Sequence, residues 1–268
     1  MPENPYKKIF YYLSAGYLFV LRRRWAWRLN GFILRQTLKC LGFLNYHSFT
    51  ESGESFVLGF FKDYSSPLII DIGANSGGYF EQVKEYLPNA KVYSFEPNPS
   101  SYLSLVKKNK NAYNYALSDS NGPGILYDHL SASGSEHATL LPGAIDELYQ
   151  SSVREISIKK ICLDTFFSKG NLLPSGVIID LIKIDAEGAE LQVLKGARNT
   201  LKRARYVQFE FNEHLFLEDI TIKDFMEVFG DTNIYRLCPW GLMPLSKMPL
   251  YLRNIYAYQN LIWVNEFL

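Results

Sequence analysis

One stretch constrains this chain more than any other: Leu68-Ile69-Ile70-Asp71-Ile72-Gly73-Ala74-Asn75-Ser76-Gly77-Gly78-Tyr79. A short apolar run carries an acid near its end, and a glycine-rich turn then leads into a helical pattern. A doubly wound α/β domain opens this way when it holds a nucleotide-like ligand at the carboxyl end of its first strand.

The chain beyond it alternates strand and helix. Residues 79–87 predict a helix stopped by Pro88-Asn89, and 91–95 a second strand ending at Glu96-Pro97-Asn98-Pro99. Pro97 bars continuation of the ladder. A helix over 100–108 and a third strand over 112–117 complete a βαβαβ half. Residues 123–150, with Ser131-Ala132-Ser133-Gly134-Ser135 at their centre, read as a long irregular active-site loop. A strand is expected over 156–163. The apolar run 177–184 predicts a strand buried on both faces, ending in Asp185-Ala186-Glu187-Gly188-Ala189-Glu190. There it enters a helix with Leu191, Leu194 and Leu201 on one face. Strands over 206–211, 234–237 and 261–264 and a helix over 222–229 finish the pattern. The expected class is α/β: a Rossmann-like, mostly parallel sheet of about seven strands with helices on both faces.

The turn also selects its ligand. A dinucleotide site wants G-x-G-x-x-G, but here Gly73, Asn75, Gly77 and Gly78 give G-x-N-x-G-G. The missing glycine is the one that lets the backbone approach a pyrophosphate. Asp71 would repel a pyrophosphate and suits a ligand with a cationic ammonium or sulfonium end. Glu96 stands where either kind of site places an acid for the ribose hydroxyls, so it supports an adenosine ligand without discriminating. S-adenosylmethionine satisfies both conditions. A ligand-free tight turn would not need acids in two consecutive strand–helix units.

Five blocks then carry a family resemblance. Asp71-Ile72-Gly73-Ala74-Asn75-Ser76-Gly77, Phe95-Glu96-Pro97-Asn98-Pro99, Ala116-Leu117-Ser118-Asp119, Leu163-Asp164-Thr165, and 182–190 with Leu194-Lys195-Gly196-Ala197 occur in order across about 68–212. In this the chain resembles the FkbM family of S-adenosylmethionine-dependent methyltransferases. The resemblance implies a class I methyltransferase fold with a seven-stranded sheet whose last strand is antiparallel. It also implies O-methylation, commonly of sugar or polyketide hydroxyls.

Site expectations follow. Asp71, Gly73, Asn75 and Gly77 belong to the cradle for the amino acid end of the cofactor and Glu96 to its ribose, with Asn98, Leu117 and Asp119 near ribose and adenine. Asp185, beside the expected methyl group, is the first candidate for general base or for orienting the acceptor hydroxyl. As a base it would need burial to raise its pKa. It also reads as a helix N-cap, with Glu187 and Glu190 complementing the dipole, and for Glu190 the helical role is preferred. Glu187 stays a catalytic candidate. His214, close to Glu210 and Glu213, is the alternative base. Asp185 with Glu210 or Glu213 offers a minority site for Mg²⁺, and no metal is otherwise expected. His129 and His137 lie in the long loop, within possible reach of the acceptor.

Charge divides the chain. Residues 1–50 carry eight basic residues against the single acid Glu3, a surplus of seven, so the rest bears a deficit of six within a net charge of +1. The expected domains are therefore a basic, aromatic-rich helical arm over 1–50 and a catalytic domain over 51–268, joined by a linker marked by Gly42, Ser48, Thr50, Ser52 and Gly53. The arm's apolar run 9–21 is shorter than the roughly 20 residues a bilayer span takes. Arg22-Arg23-Arg24 leaves no small-residue cleavage site after it. The arm either packs on protein or lies in a membrane interface. Near-neutral net charge argues against nucleic acid as the main partner. Nucleic-acid N-methyltransferases want a Pro-Pro-aromatic turn where this chain has Asp185-Ala186-Glu187-Gly188. The three unpaired cysteines fit a reducing compartment, so a cytoplasmic protein is expected, with peripheral contact at the inner membrane face as an option. The favoured acceptor is a sugar hydroxyl in a glycan or glycolipid. A polyketide-like hydroxyl and a non-catalytic, membrane-associated cofactor-binding scaffold are the alternatives.

Overall fold

Alternate residues of the first strand face two different cores, which is why that strand lies inside the sheet and not at its edge. In the computed structural model, residues 5–130, 138–170, 172–174, 176–230 and 232–268 are described. Eleven strands occur among them: β1 (Leu68–Ile72), β2 (Lys91–Phe95), β3 (Ala112–Tyr113), β4 (Ala116–Leu117), β5 (Gly122–His129), β6 (Val153–Ile161), β7 (Ile179–Ile184), β8 (Ala204–Phe211), β9 (Ile234–Cys238), β10 (Gly241–Pro244) and β11 (Gln259–Val264). Eight form one sheet in the order β10-β9-β11-β8-β7-β1-β2-β3. The pairs from β3 through β8 are parallel, and β11 inserts antiparallel between β8 and β9. This is the expected class I order, with β10 added as an eighth, antiparallel edge strand.

Leu68, Ile70 and Ile72 join Ile182, Ile184, Phe209 and Phe211 in the larger core. Ile69 joins Val92, Leu181, Val57, Leu58 and Val83 in the core on the other face. Both faces are thus dry, as parallel sheets require. The helices are α1 (Pro5–Leu21), α2 (Trp27–Cys40), α3 (Glu54–Gly59), α4 (Gly78–Tyr86), α5 (Pro99–Lys108), α6 (Ala144–Tyr149), α7 (Leu163–Gly170), α8 (Glu190–Lys195), α9 (Arg198–Leu201), α10 (Glu213–Leu217), α11 (Ile222–Phe229) and α12 (Leu250–Arg253).

Four sequence expectations need correction. The strand expected over 112–117 is two short pieces in two sheets. Asn114 donates from Nδ2 to the carbonyls of Glu96 and Pro97, which pins a corner between them. Part of the expected loop is strand: β5 pairs antiparallel with β6 along its whole length, and β4 joins β6 from the other side. Pro123 is compatible with β5 because β5 is the edge of that three-stranded sheet. The helix expected after Asp185 is two helices, broken where a Cβ on Gly196 would overlap the Ser118 carbonyl. The expected linker is packed: Phe43 is wholly buried, Gly42 has φ +85 against Cys238, and Leu44 N–H donates to the Tyr258 carbonyl at 2.8 Å.

Candidate active site

The carboxyl ends of β1, β2, β7 and β8 meet at a cavity of about 880 Å³. Open α/β sheets bind ligands at this edge, and the volume suits a bound small molecule. Gly73 shapes its floor. Gly73 and Ala74 donate to the Phe95 carbonyl, and Asp185 N–H donates to that of Ile72, which ties three strand ends together. Gly73 takes φ +79, and a Cβ there would overlap the Asp185 carbonyl. Only glycine fits this approach.

Asn75, also at positive φ (45°), donates its backbone N–H to Glu96 Oε2 at 2.8 Å, and Asn98 N–H donates to Glu96 Oε1 at 2.7 Å. Burial pushes the Glu96 carboxyl up to about 7, against the pull of those two amides. Glu96 is thereby held rigidly at the cavity wall.

Beneath the turn runs a polar row set by strand register. Ser94, Asp71, Lys183 and Gln208 are successive partners across β2, β1, β7 and β8. Asp71 is wholly buried, and burial lifts its carboxyl to about 6 despite the Lys183 charge. The Lys183 ammonium lies 2.9 Å from Asp185 Oδ2, 4.0 Å from Glu54 Oε1 and 4.9 Å from the centre of the Tyr79 ring. Burial alone would drive Lys183 toward neutrality; Asp185, then Glu54 and Asp71, more than offset it and hold its pKa above the ordinary lysine value.

The Asp185 motif folds tightly. Glu190 is fully buried, and its carboxylate accepts from Ala186 N–H and Gly188 N–H. That is the structural role preferred for it; Asp185 is not the helix cap, since α8 begins at Glu190 after Ala189. Glu187 takes φ +48, and its carbonyl accepts from Thr139 Oγ1. Its carboxylate Oε2 lies 3.3 Å from His214 Nδ1, with both side chains largely buried. Glu210 accepts from the Tyr258 hydroxyl at 2.8 Å. Burial, then Asp185 and Glu187, raises its pKa well above the ordinary value.

Gly73, Asn75, Glu96, Leu117, Asp185, Glu187 and His214 all line this cavity. Asp71, Gly77, Asn98 and Asp119 are not among its lining residues. Asp71 is sealed in the sheet, Gly77 is the left-handed N-cap of α4, and Asn98 caps α5 while donating to Asp128. Asp119 lines a separate groove beside β5. His129 ends β5 away from the cavity, and His137 lies outside the described residues. Among the described residues no group of three or more His, Cys, Asp or Glu side chains is placed to hold a metal ion. Lys183 was absent from the candidates, although it interrupts an apolar strand two residues before Asp185. Tyr258, and Arg35, Leu44 and Tyr46 from the arm's end, also line the cavity; no local signal in the sequence marks them.

The FkbM methyltransferase domain matches residues 71–233, more than half of the chain. The chain belongs to the FkbM methyltransferase family. The matched model describes a methyltransferase domain. Among curated members, methyltransferase sdnD of Sordaria araneosa is 31% identical over 49% of this chain and 61% of its own length. The 2-O-methyltransferase NoeI of Sinorhizobium fredii is 28% identical over 66% of this chain and 76% of its own. Hexuronic acid methyltransferase AglP of Haloferax volcanii is 27% identical over 56% of this chain and 58% of its own. The match thus spans less than two thirds of the sdnD and AglP chains. The glycine turn at the sheet edge and the Asp185 motif both fall within the matched residues.

Proposed function

We propose that this enzyme transfers a methyl group to a hydroxyl of a sugar, in a glycan or glycolipid. The carrying observation is that a single cavity is lined both by Gly73, Asn75, Glu96 and Leu117 and by Asp185, Glu187 and His214. The residues present fit the donor: a turn too tight for a Cβ, a carboxylate fixed by two amides for ribose hydroxyls, and acidic groups near its cationic end. Gly73, Asn75, Glu96 and Leu117 would hold it, with Asp71 acting through the polar row rather than by contact. S-adenosylmethionine supplies a methyl carbon already activated by its sulfonium.

The chain's own task is then to position a hydroxyl and remove its proton. Asp185, braced by Lys183, orients the hydroxyl. The His214 imidazole takes the proton, and the Glu187 carboxylate beside Nδ1 stabilises the resulting cation. The names of NoeI and AglP, a 2-O-methyltransferase and a hexuronic acid methyltransferase, support a sugar acceptor.

The test is an acceptor screen with isotopically labelled S-adenosylmethionine over free glycans, lipid-linked saccharides, polyketide-type alcohols, protein and nucleic acid. A labelled O-methyl on a saccharide, located by NMR, is the expected result. Label confined to any other acceptor class would overturn the sugar assignment.

A further inference from the structure

From residue 8 to residue 20 every side chain of α1 is exposed, and α2 buries none of its own. Phe10, Tyr11, Tyr12, Leu13 and Phe19 are 64–76% exposed, and Trp25 and Trp27 about two thirds. The two helices are nonetheless held together, since Asn30 accepts from the Tyr17 hydroxyl and donates to the Leu21 carbonyl. An apolar surface of this extent is stable only if something covers it.

Charge identifies the cover. Residues 5–50 contain no acid, while Arg22, Arg23, Arg24 and Arg28 cluster at the bend between the helices. Arg22, Arg23 and Arg24 are exposed. Aromatic rings beside a basic cluster on an apolar helix match a lipid interface, with rings at headgroup level and bases on anionic lipid. A second copy of the arm would bring the same positive surplus against it. No helix among the described residues is long and apolar enough to cross a membrane, so the hairpin would lie in the interface rather than span it.

We propose that the α1–α2 hairpin docks the enzyme on the surface of an anionic bilayer. Docking is coupled in space to the active site, because the same segment continues into Arg35, Leu44 and Tyr46 at the cavity.

The test uses the full chain with sucrose-loaded vesicles of phosphatidylcholine, alone or mixed with phosphatidylglycerol. Sedimentation with the mixed vesicles, release by high salt, and a blue shift of tryptophan emission on binding are expected. The combined change Arg22→Glu, Arg23→Glu and Arg24→Glu should weaken binding at least tenfold, as should Phe10→Ser with Phe19→Ser. Binding of S-adenosylhomocysteine, measured by calorimetry, should be unchanged in both and reports an intact fold. Equal sedimentation with neutral and anionic vesicles would overturn the proposal. So would unbound wild-type protein that forms a dimer in ultracentrifugation. The wild-type emission shift needs no variant and decides the matter if either variant misfolds.

Discussion

The Lys183 ammonium lies 2.9 Å from Asp185 Oδ2, while Asp71 stands beside Lys183 in the register of β1 and β7. One buried cation thus links the acid under the glycine turn to the acid that follows β7 at the cavity. Asp185→Ala should destabilise the fold by about 1–3 kcal/mol, because Lys183 loses its nearest partner. It should also lower kcat by about a hundredfold through misplacement of the acceptor. Asp185→Asn keeps an acceptor for Lys183, so thermal melting should recover while kcat stays depressed. Equal recovery of both would assign Asp185 a purely structural role.

His214 and Glu187 are separable from that pair. Loss of a general base costs about 10²–10⁴ in rate, and the acid limb of the kcat/KM profile reports the base of the free enzyme. His214→Ala should show that loss and erase the acid limb. Glu187→Gln should fall between it and wild type, with S-adenosylhomocysteine affinity unchanged by calorimetry. A retained acid limb in His214→Ala would move the base elsewhere.

Buried acids set the pH dependence of stability. Asp71 rises from 3.8 to about 6, and Glu96 and Glu190 from 4.5 to about 7, burial being the main cause in each. Over this window the folded chain binds more protons than the unfolded one, so their contribution is fully present below about pH 4 and lost as pH rises to about 7. For Asp71 the shift corresponds to roughly 3 kcal/mol. Asp71→Asn should therefore raise Tm relative to wild type near pH 8, with the gain shrinking toward about pH 4. A gain independent of pH would refute the assignment.

Arg236 holds the arm's end to the body. Its guanidinium sits 3.7 Å over the centre of the Phe43 ring and donates to Gln259 Oε1 and to the carbonyls of Leu41 and Leu252. Burial lowers its pKa to about 10. Arg236→Ala leaves a cavity and unpaired carbonyls, at a cost of about 3 kcal/mol. Limited proteolysis should then cut between residues 41 and 53, and the wild-type chain should resist cleavage there. Unchanged resistance would show that Phe43 alone suffices.

What was legible in the chain was legible locally. Strand, turn and acid in 68–79, and the apolar run ending at Asp185, are patterns of neighbouring residues, so their type and order follow from the sequence alone. Pro123 and its flanking glycines hid β5, because an edge strand tolerates residues that a central one excludes. Lys183 hid inside an apolar run: Asp185 follows it closely, but Asp71 lies on β1 and Glu54 on α3.

The sequence alone determines the order of elements, the glycine turn and the family, since these depend on backbone preferences and on residues adjacent in the chain. Only the tertiary structure decides which acids face the cavity. Strand register buries Asp71 and joins it to Lys183, and packing of the arm's end brings Arg35, Leu44 and Tyr46 to the cavity. Both depend on contacts between residues more than a hundred positions apart, which no local pattern encodes.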